Sequence, residues 1–382
     1  MLPNKLQRRI DNRIANNASR SLKGYSNLID FSSNDYLGFS TSEDIFNNAS
    51  QLLKDKNHQM NGATGSRLLS GNYNLYQEAE KTIAEIHKVE SALIFNSGYD
   101  ANIGFFSAVP QRGDFIFYDE SIHASIRDGI SMSNAKSYKF KHNDLQGLKE
   151  LVSKIRSNSR SIEKDSNEIY IATESVFSMD GDSPDLSGFA NFCTKIGAHF
   201  IVDEAHAIGV FGLGLVQQLS LENKVFARLV TFGKGLGCHG AAFLGDQDLK
   251  DYLVNFARSF IYTTALPPHS VATIISVYEQ LNSSNNDNEL QKNIKLFKRV
   301  IKNKEIDAYF VTSHSAIQSC VLSSNEKVKN ISLKLKEQGF DVKPILSPTV
   351  KLGQERLRFC LHSYNTEKEI LSLINLLSTF LK

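Results

Sequence analysis

Four titratable side chains fall just after short apolar runs in the chain. His123 follows "FIFYDE", Asp203 and His206 follow "AHFIV", and Lys234 follows "RLVTFG". Such runs, bounded by polar residues, predict buried strands, and open sheets keep their sites at strand ends. Lys234 stands among Gly233, Gly235, Gly237 and Gly240, which let a backbone come close to a ligand. A lysine desolvated there can lose its proton and attack a carbonyl. The Ser97-Gly98 turn opens a predicted helix, whose first N–H groups suit a phosphate-sized anion. Thr231, three residues before Lys234, can offer that anion a hydroxyl.

These parts are the ones a flat, phosphorylated aromatic aldehyde requires. The ring nitrogen needs an acid partner to stay protonated, and Asp203 supplies one. The ring oxygen needs a donor, and His206 is three residues on. The aldehyde needs the amine of Lys234, and one ring face needs a stacking partner such as His123. Taken singly, each has another reading. Asp203-Glu204 also suits the strand end of a nucleotide hydrolase, but the G-x-x-x-x-G-K-[ST] loop such enzymes need is absent. His206 and His123 each also fit a hydrogen-bonded structural histidine. "GVFGLG" (Gly209–Gly214) resembles a dinucleotide fingerprint, but it follows "DEAH" rather than opening a first sheet helix. It reads as a flexible loop.

Composition removes other classes. The 43 basic and 41 acidic residues nearly cancel, so no nucleic-acid or membrane surface is expected. No apolar run of about 20 residues exists, and the N-terminus lacks a signal-peptide core. The isolated Cys193, Cys238, Cys320 and Cys360 suit a reducing cytoplasm and no structural metal site.

The elements that must position these groups alternate. Apolar runs at Ser91, Asp114, Ser137, Glu168, Ala198 and Arg228 are separated by helical periodicity, which predicts an α/β fold with a large, mostly parallel sheet. A long helix is expected after "FIYTTALPP". Past Asn282 the chain turns polar, and strands near Ser315–Leu322, Val342–Leu346 and Arg356–Cys360 predict a smaller α+β domain closed by a helix after Thr366. The expected layout is an N-terminal arm over 1–45, helical over residues 1–25, a large domain over 46–281 and a small domain over 282–382.

Read in order, "FSSNDYLG", "GSRLLSGN", "FNSGYDAN", "DESIHAS", "FKHND", "ESVFSMDGD", "VDEAHAIGVFG" and "TFGKGLGCHG" resemble the α-oxoamine synthases. These are fold-type I pyridoxal-phosphate enzymes that join an amino acid to an acyl thioester with loss of carbon dioxide. The resemblance runs from about Asp30 to Arg358. It implies pyridoxal 5'-phosphate held by Lys234 as a Schiff base, with Asp203 at the pyridine nitrogen, His206 at the phenolic oxygen and His123 stacked on the ring. It places Gly98, Tyr99 and Thr231 at the phosphate and Ser178 beside the cofactor. Thr263 would reach the phosphate of a neighbouring subunit, making a homodimer with shared sites. Asn34 and Arg358 would hold the amino acid's carboxylate. Tyr76 stands where the family often has histidine, Ile122 where a small polar residue is usual, and Ser319 and Lys351 where proline is common. None of these removes a catalytic group.

Overall fold

The runs that read as strands are strands. The computed structural model describes residues 2–16, 19, 22, 24, 27–158, 167–283 and 286–381. Seven strands form one sheet in the order Ser91–Phe95, Ala241–Gly245, Ala227–Thr231, His199–Asp203, Ile169–Glu174, Phe115–Asp119, Lys136–Phe140. All neighbours are parallel except around Ala241–Gly245, which runs against both of its partners. Ser91–Phe95, Ile169–Glu174 and Ala227–Thr231 are buried at every position, as strands covered on both faces must be.

Alternation along the strands divides the core in two. Ile116, Ala172, Ile201 and Leu229 join Phe105, Phe106 and Ile126 on one face. Phe117, Ile171, Phe200 and Val202 join Leu148, Phe189 and Ala190 on the other. The first face is covered by the helices Gly98–Ala108 and Ala124–Met132, which pack on each other. By the same alternation Glu174, Asp203 and Thr231, which end their strands, point to that face.

Backbone contacts group the chain into two compact units: 34–178 with 183–287, and 1–33 with 179–182 and 288–382. The division therefore runs through the segment expected as a separate arm. The second unit carries a three-stranded antiparallel sheet, Lys343–Ile345, Arg356–Cys360 and Ile317–Val321. It also carries the helices Asn325–Glu337 and Glu367–Leu381, and a short parallel pair of Ile29–Asp30 with Phe340–Asp341. The N-terminal helix covers Asn4–Ala15 and buries none of its side chains. The rest of the helix expected over residues 1–25, and most of the serine-rich stretch near 157–167, lie outside the described residues.

The strand Ala241–Gly245 and the end of the helix before the sheet differ from the sequence reading. Ala241–Gly245 was not expected, because two alanines and a glycine directly after a glycine-rich loop give little β signal. The helical periodicity of the sequence runs over Leu75–Glu90, but the helix ends at Ile86, with His87 as its cap. Lys88 then takes φ 54°, and the Val89 N–H closes the turn on the Ala84 carbonyl.

His87 is fully buried, and its Nε2 lies 2.9 Å from the Tyr278 hydroxyl on the helix Pro268–Ser283. Burial, and then the Arg228 charge, hold it well below the ordinary imidazole value. The folded state thus leaves His87 neutral while the unfolded chain takes up a proton below about pH 6.5, so stability falls with pH by up to about 1.4 kcal/mol per unit in that range. Thermal unfolding should show the midpoint falling as pH drops past about 6.5, and falling less steeply in His87→Gln. Equal slopes would clear His87 of the effect.

Candidate active site

The helix Gly98–Ala108 begins where the strand Ser91–Phe95 ends. Ser97 caps it by accepting the Asp100 N–H at 3.1 Å. A Cβ placed on Gly98 would come within 2.6 Å of the Thr231 Cγ2 methyl. Glycine is therefore required by the close approach of the neighbouring strand end. The helix N-terminus, with its outward N–H groups, is left against the Thr231 side chain. Thr231 Oγ1 donates to the Ala205 carbonyl at 3.3 Å.

One turn into that helix, Asn102 reaches across the sheet end. Its Nδ2 donates to Asp203 Oδ2 and to Ser125 Oγ, each at 3.0 Å. Asp203 Oδ1 accepts the Ala205 N–H at 2.9 Å. Asp203 is nearly buried, and two donors orient its carboxylate. Ser125 in turn lies 2.7 Å from His123 Nδ1. His123 caps the helix Ala124–Met132, its Nδ1 accepting the Ser125 N–H at 3.3 Å, so the neutral ring carries its proton on Nε2. The ring is open to the cleft, yet the surrounding protein desolvates the imidazolium and lowers its pKa, with Asp203 opposing and Lys234 and Arg127 assisting. The loop before it is tied down by the buried Asp119, which accepts the Ser121 N–H at 2.8 Å and the Asn143 N–H at 2.7 Å and pairs with His142 at 2.9 Å. "DESIHAS" and "FKHND" are thereby one structure.

Lys234 sits in the connection from Thr231 to Ala241. That connection is closed by Phe232 N–H to Gly240 O and Cys238 N–H to Phe232 O, both 2.9 Å. Gly237 adopts φ 61°, and a Cβ there would meet the Ser40 nitrogen at 2.3 Å. The Lys234 amine lies 2.8 Å from His206 Nε2, and His206 Nδ1 lies 2.7 Å from the hydroxyl of the fully buried Tyr36. Tyr36 also donates to Asn34 Oδ1 at 3.2 Å. A chain of four groups thus runs from Asn34 to the amine.

Gly98, Tyr99, Asn102, His123, Asp203, Thr231 and Lys234 line one cavity of about 260 Å³. An anion cradle without room for a Cβ, a fixed carboxylate, an amine and an imidazole face it together. That donor set fits a phosphate, a ring nitrogen and an aldehyde on one flat molecule. Of the other residues expected here, Thr263 accepts from Asn96 Nδ2 at 3.1 Å, and Ser178 is half-buried in the turn that follows the strand Ile169–Glu174. Arg358 belongs to the smaller unit, buried on its central strand opposite Ser319 and Lys343.

The sequence reading missed Tyr36, Asn102, Ser125 and Glu174. Tyr36 and Asn102 lie inside quoted motifs, but nothing in their spacing says which distant group they serve. Glu174 ends a strand as Asp203 does, and the same strand-end rule applies to it. "GVFGLG" is not a flexible loop. Glu204, fully buried, pairs with Arg228 and accepts the Val216 N–H at 3.0 Å, while Arg228 donates to the Leu213 carbonyl. The loop lies pinned over that ion pair, and a Cβ on Gly214 would strike Glu204 Oε2 at 2.5 Å.

The sequence profile of the aminotransferase class I and II family matches residues 26–377. The 8-amino-7-oxononanoate synthase of Emericella nidulans is 40% identical over 379 residues, spanning 94% of this chain and 90% of that one. Among solved structures, a serine palmitoyltransferase of Sphingomonas wittichii superposes with a TM-score of 0.87 at 25% identity, covering 100% of this chain and 98% of its own. The 8-amino-7-oxononanoate synthase of Francisella tularensis gives 0.76 at 29% identity, covering 93% and 98%. The chain belongs to the aminotransferase class I and II family, and within it to the α-oxoamine synthases. It is an acyltransferase whose cofactor is pyridoxal 5'-phosphate.

The Gly98–Thr231 approach gives a sharp test. Gly98→Ala forces the new methyl against Thr231 Cγ2, an overpacking worth about 1–3 kcal/mol, and should weaken cofactor binding roughly tenfold or more. Adding Thr231→Ser removes that Cγ2 while keeping the hydroxyl, and should recover much of the loss in a fluorescence titration with pyridoxal phosphate. Failure of the double variant to recover would assign the loss to something other than this contact.

Proposed function

We propose that this enzyme condenses L-alanine with a pimeloyl thioester, on coenzyme A or a carrier protein, releasing carbon dioxide and forming 8-amino-7-oxononanoate for biotin synthesis. The observation that carries the choice within the family is the 40% identity, over nearly all of both chains, to a protein named for that product. When bound, pyridoxal phosphate supplies an aldehyde that captures amines and a protonated ring that withdraws electrons. Asp203, fixed by Asn102 and the Ala205 N–H, would hold the ring nitrogen's proton. His206 would face the ring oxygen, its other nitrogen held by Tyr36. His123 would cover one ring face, and the helix N-terminus at Gly98 and Tyr99, with Thr231, would hold the phosphate. Ser178 would lie beside the cofactor.

The Lys234 amine would be the base that takes the amino acid's α-proton. His206, 2.8 Å away, can share that proton with it. Asn34 and Arg358, assigned by their motif positions, would receive the amino acid's carboxylate. Thr263 would serve the phosphate of a second copy, giving a homodimer that works in the cytoplasm. A second reading has its own support: serine palmitoyltransferases give the higher structural similarity, so serine with a long acyl thioester is the rival pair. Mass spectrometry of products from alanine, glycine and serine, each offered pimeloyl and palmitoyl thioesters, decides between them. Formation of 8-amino-7-oxononanoate supports the proposal; a long-chain amino ketone from serine alone would replace it.

Two substitutions test the roles. Lys234→Ala should abolish turnover and the long-wavelength absorbance of the bound cofactor, and normal turnover would remove Lys234 from its place. Asp203→Asn should keep the cofactor but lose about 10²-fold or more in kcat, because a neutral amide no longer stabilises the protonated ring. An unchanged kcat would show that Asp203 does not set the ring's protonation.

A further inference from the structure

Glu174, which has no role in the foregoing, points to the same face of the sheet as Asp203 and Thr231. It is the last residue of the strand Ile169–Glu174, directly opposite Asp203 in the parallel register. It is nearly fully buried. Its Oε1 accepts the main-chain N–H of His123 at 2.6 Å, across 51 positions of sequence.

That bond completes a helix cap that the local sequence leaves open. A capped helix is often closed by a second bond, in which a glutamate or glutamine three residues after the cap returns to the cap residue's own N–H. Here the cap is His123, and the residue three positions on is Ile126, whose side chain has no acceptor. The N–H of His123 is instead met from the neighbouring sheet by Glu174. The helix start is thereby tied to the strand next to the one that carries Asp203.

We propose that Glu174 is the positioning residue for His123, its carboxyl oxygen holding the His123 N–H and so fixing where the imidazole lies over the cofactor ring. This deepens the reading of His123 as the stacking residue and rests on it. The chemistry of the acceptor is also set. Burial, and then the Asp203 charge, push the Glu174 carboxyl well above the usual carboxylate range, with Lys234 and the His123 N–H acting against them. The bond to the His123 N–H needs an sp² oxygen at this reach, which the side-chain amide of glutamine also supplies. Aspartate is one carbon short, and alanine has no acceptor.

The experiment compares the holoenzyme with Glu174→Gln, Glu174→Asp, Glu174→Ala and His123→Ala. It reads kcat and KM for the amino acid separately, and the visible circular dichroism of the bound cofactor, which senses the ring's surroundings. Glu174→Gln should keep the dichroic band and a kcat within about threefold of the parent. Glu174→Asp and Glu174→Ala should lose between about tenfold and a hundredfold in kcat, with KM changing less, and should alter the band in the same sense as His123→Ala. If the alanine variant does not fold, the glutamine and aspartate pair makes the same comparison. A glutamine variant as poor as the aspartate one, or an aspartate variant with the parent's band and kcat, overturns the proposal. His123→Ala behaving as the parent removes the stacking reading itself. His123→Ala impaired beside silent Glu174 variants leaves that reading standing and removes only Glu174.

Discussion

Everything at the cleft depends on the Lys234 amine meeting the His206 imidazole at 2.8 Å. The two residues come from loops after adjacent parallel strands, held in register by the pairing of Asp203 with Leu229. Nothing local to either loop enforces the distance. It follows from the sheet, from the glycines that let the Lys234 connection fold close to Ser40, and from Tyr36 fixing the far side of the imidazole. A hydrogen-bond chain that begins in one sequence segment and ends in another constrains the fold as well as the chemistry.

Around that bond the polar groups are shared rather than duplicated. Asn102 serves Asp203 and Ser125 with one nitrogen, and Ser125 passes the constraint to His123. Asp119 organises two loops at once. Because these groups are buried, each needs partners, and using common partners keeps their number small. The helix Gly98–Ala108 contributes its N-terminus, Asn102 and the apolar Phe105 and Phe106, so one element joins the site to the core.

The sheet strands and the groups at their ends were legible because burial on both faces writes continuous apolar runs and sites collect where those runs stop. Asp203, His206, Lys234 and His123 were singled out that way, and the needs of a phosphorylated ring aldehyde suggested the part each could play. What was not legible has a common cause. The Tyr36–His206, Asn102–Asp203 and Glu174–His123 bonds each join residues far apart in sequence, and no periodicity records such a pairing. The strand Ala241–Gly245 was hidden because its small residues are chosen for fit rather than for β preference. "GVFGLG" carries a pattern of glycines whose purpose, lying over the Glu204–Arg228 pair, is visible only in three dimensions.

The reversed direction of Ala241–Gly245 has its own effect. Elsewhere in the sheet, chain leaving a strand crosses over through a helix before returning, and a crossover can absorb an extra residue in its surface turns. Between Thr231 and Ala241 the chain instead doubles straight back beside itself, and both ends of that short return are fastened by backbone bonds. An amine mounted on such a hairpin-like bend has its reach tied to the length of that segment as well as to its packing. Insertions and deletions that the other connections tolerate would here shift the nucleophile while leaving both flanking strands intact.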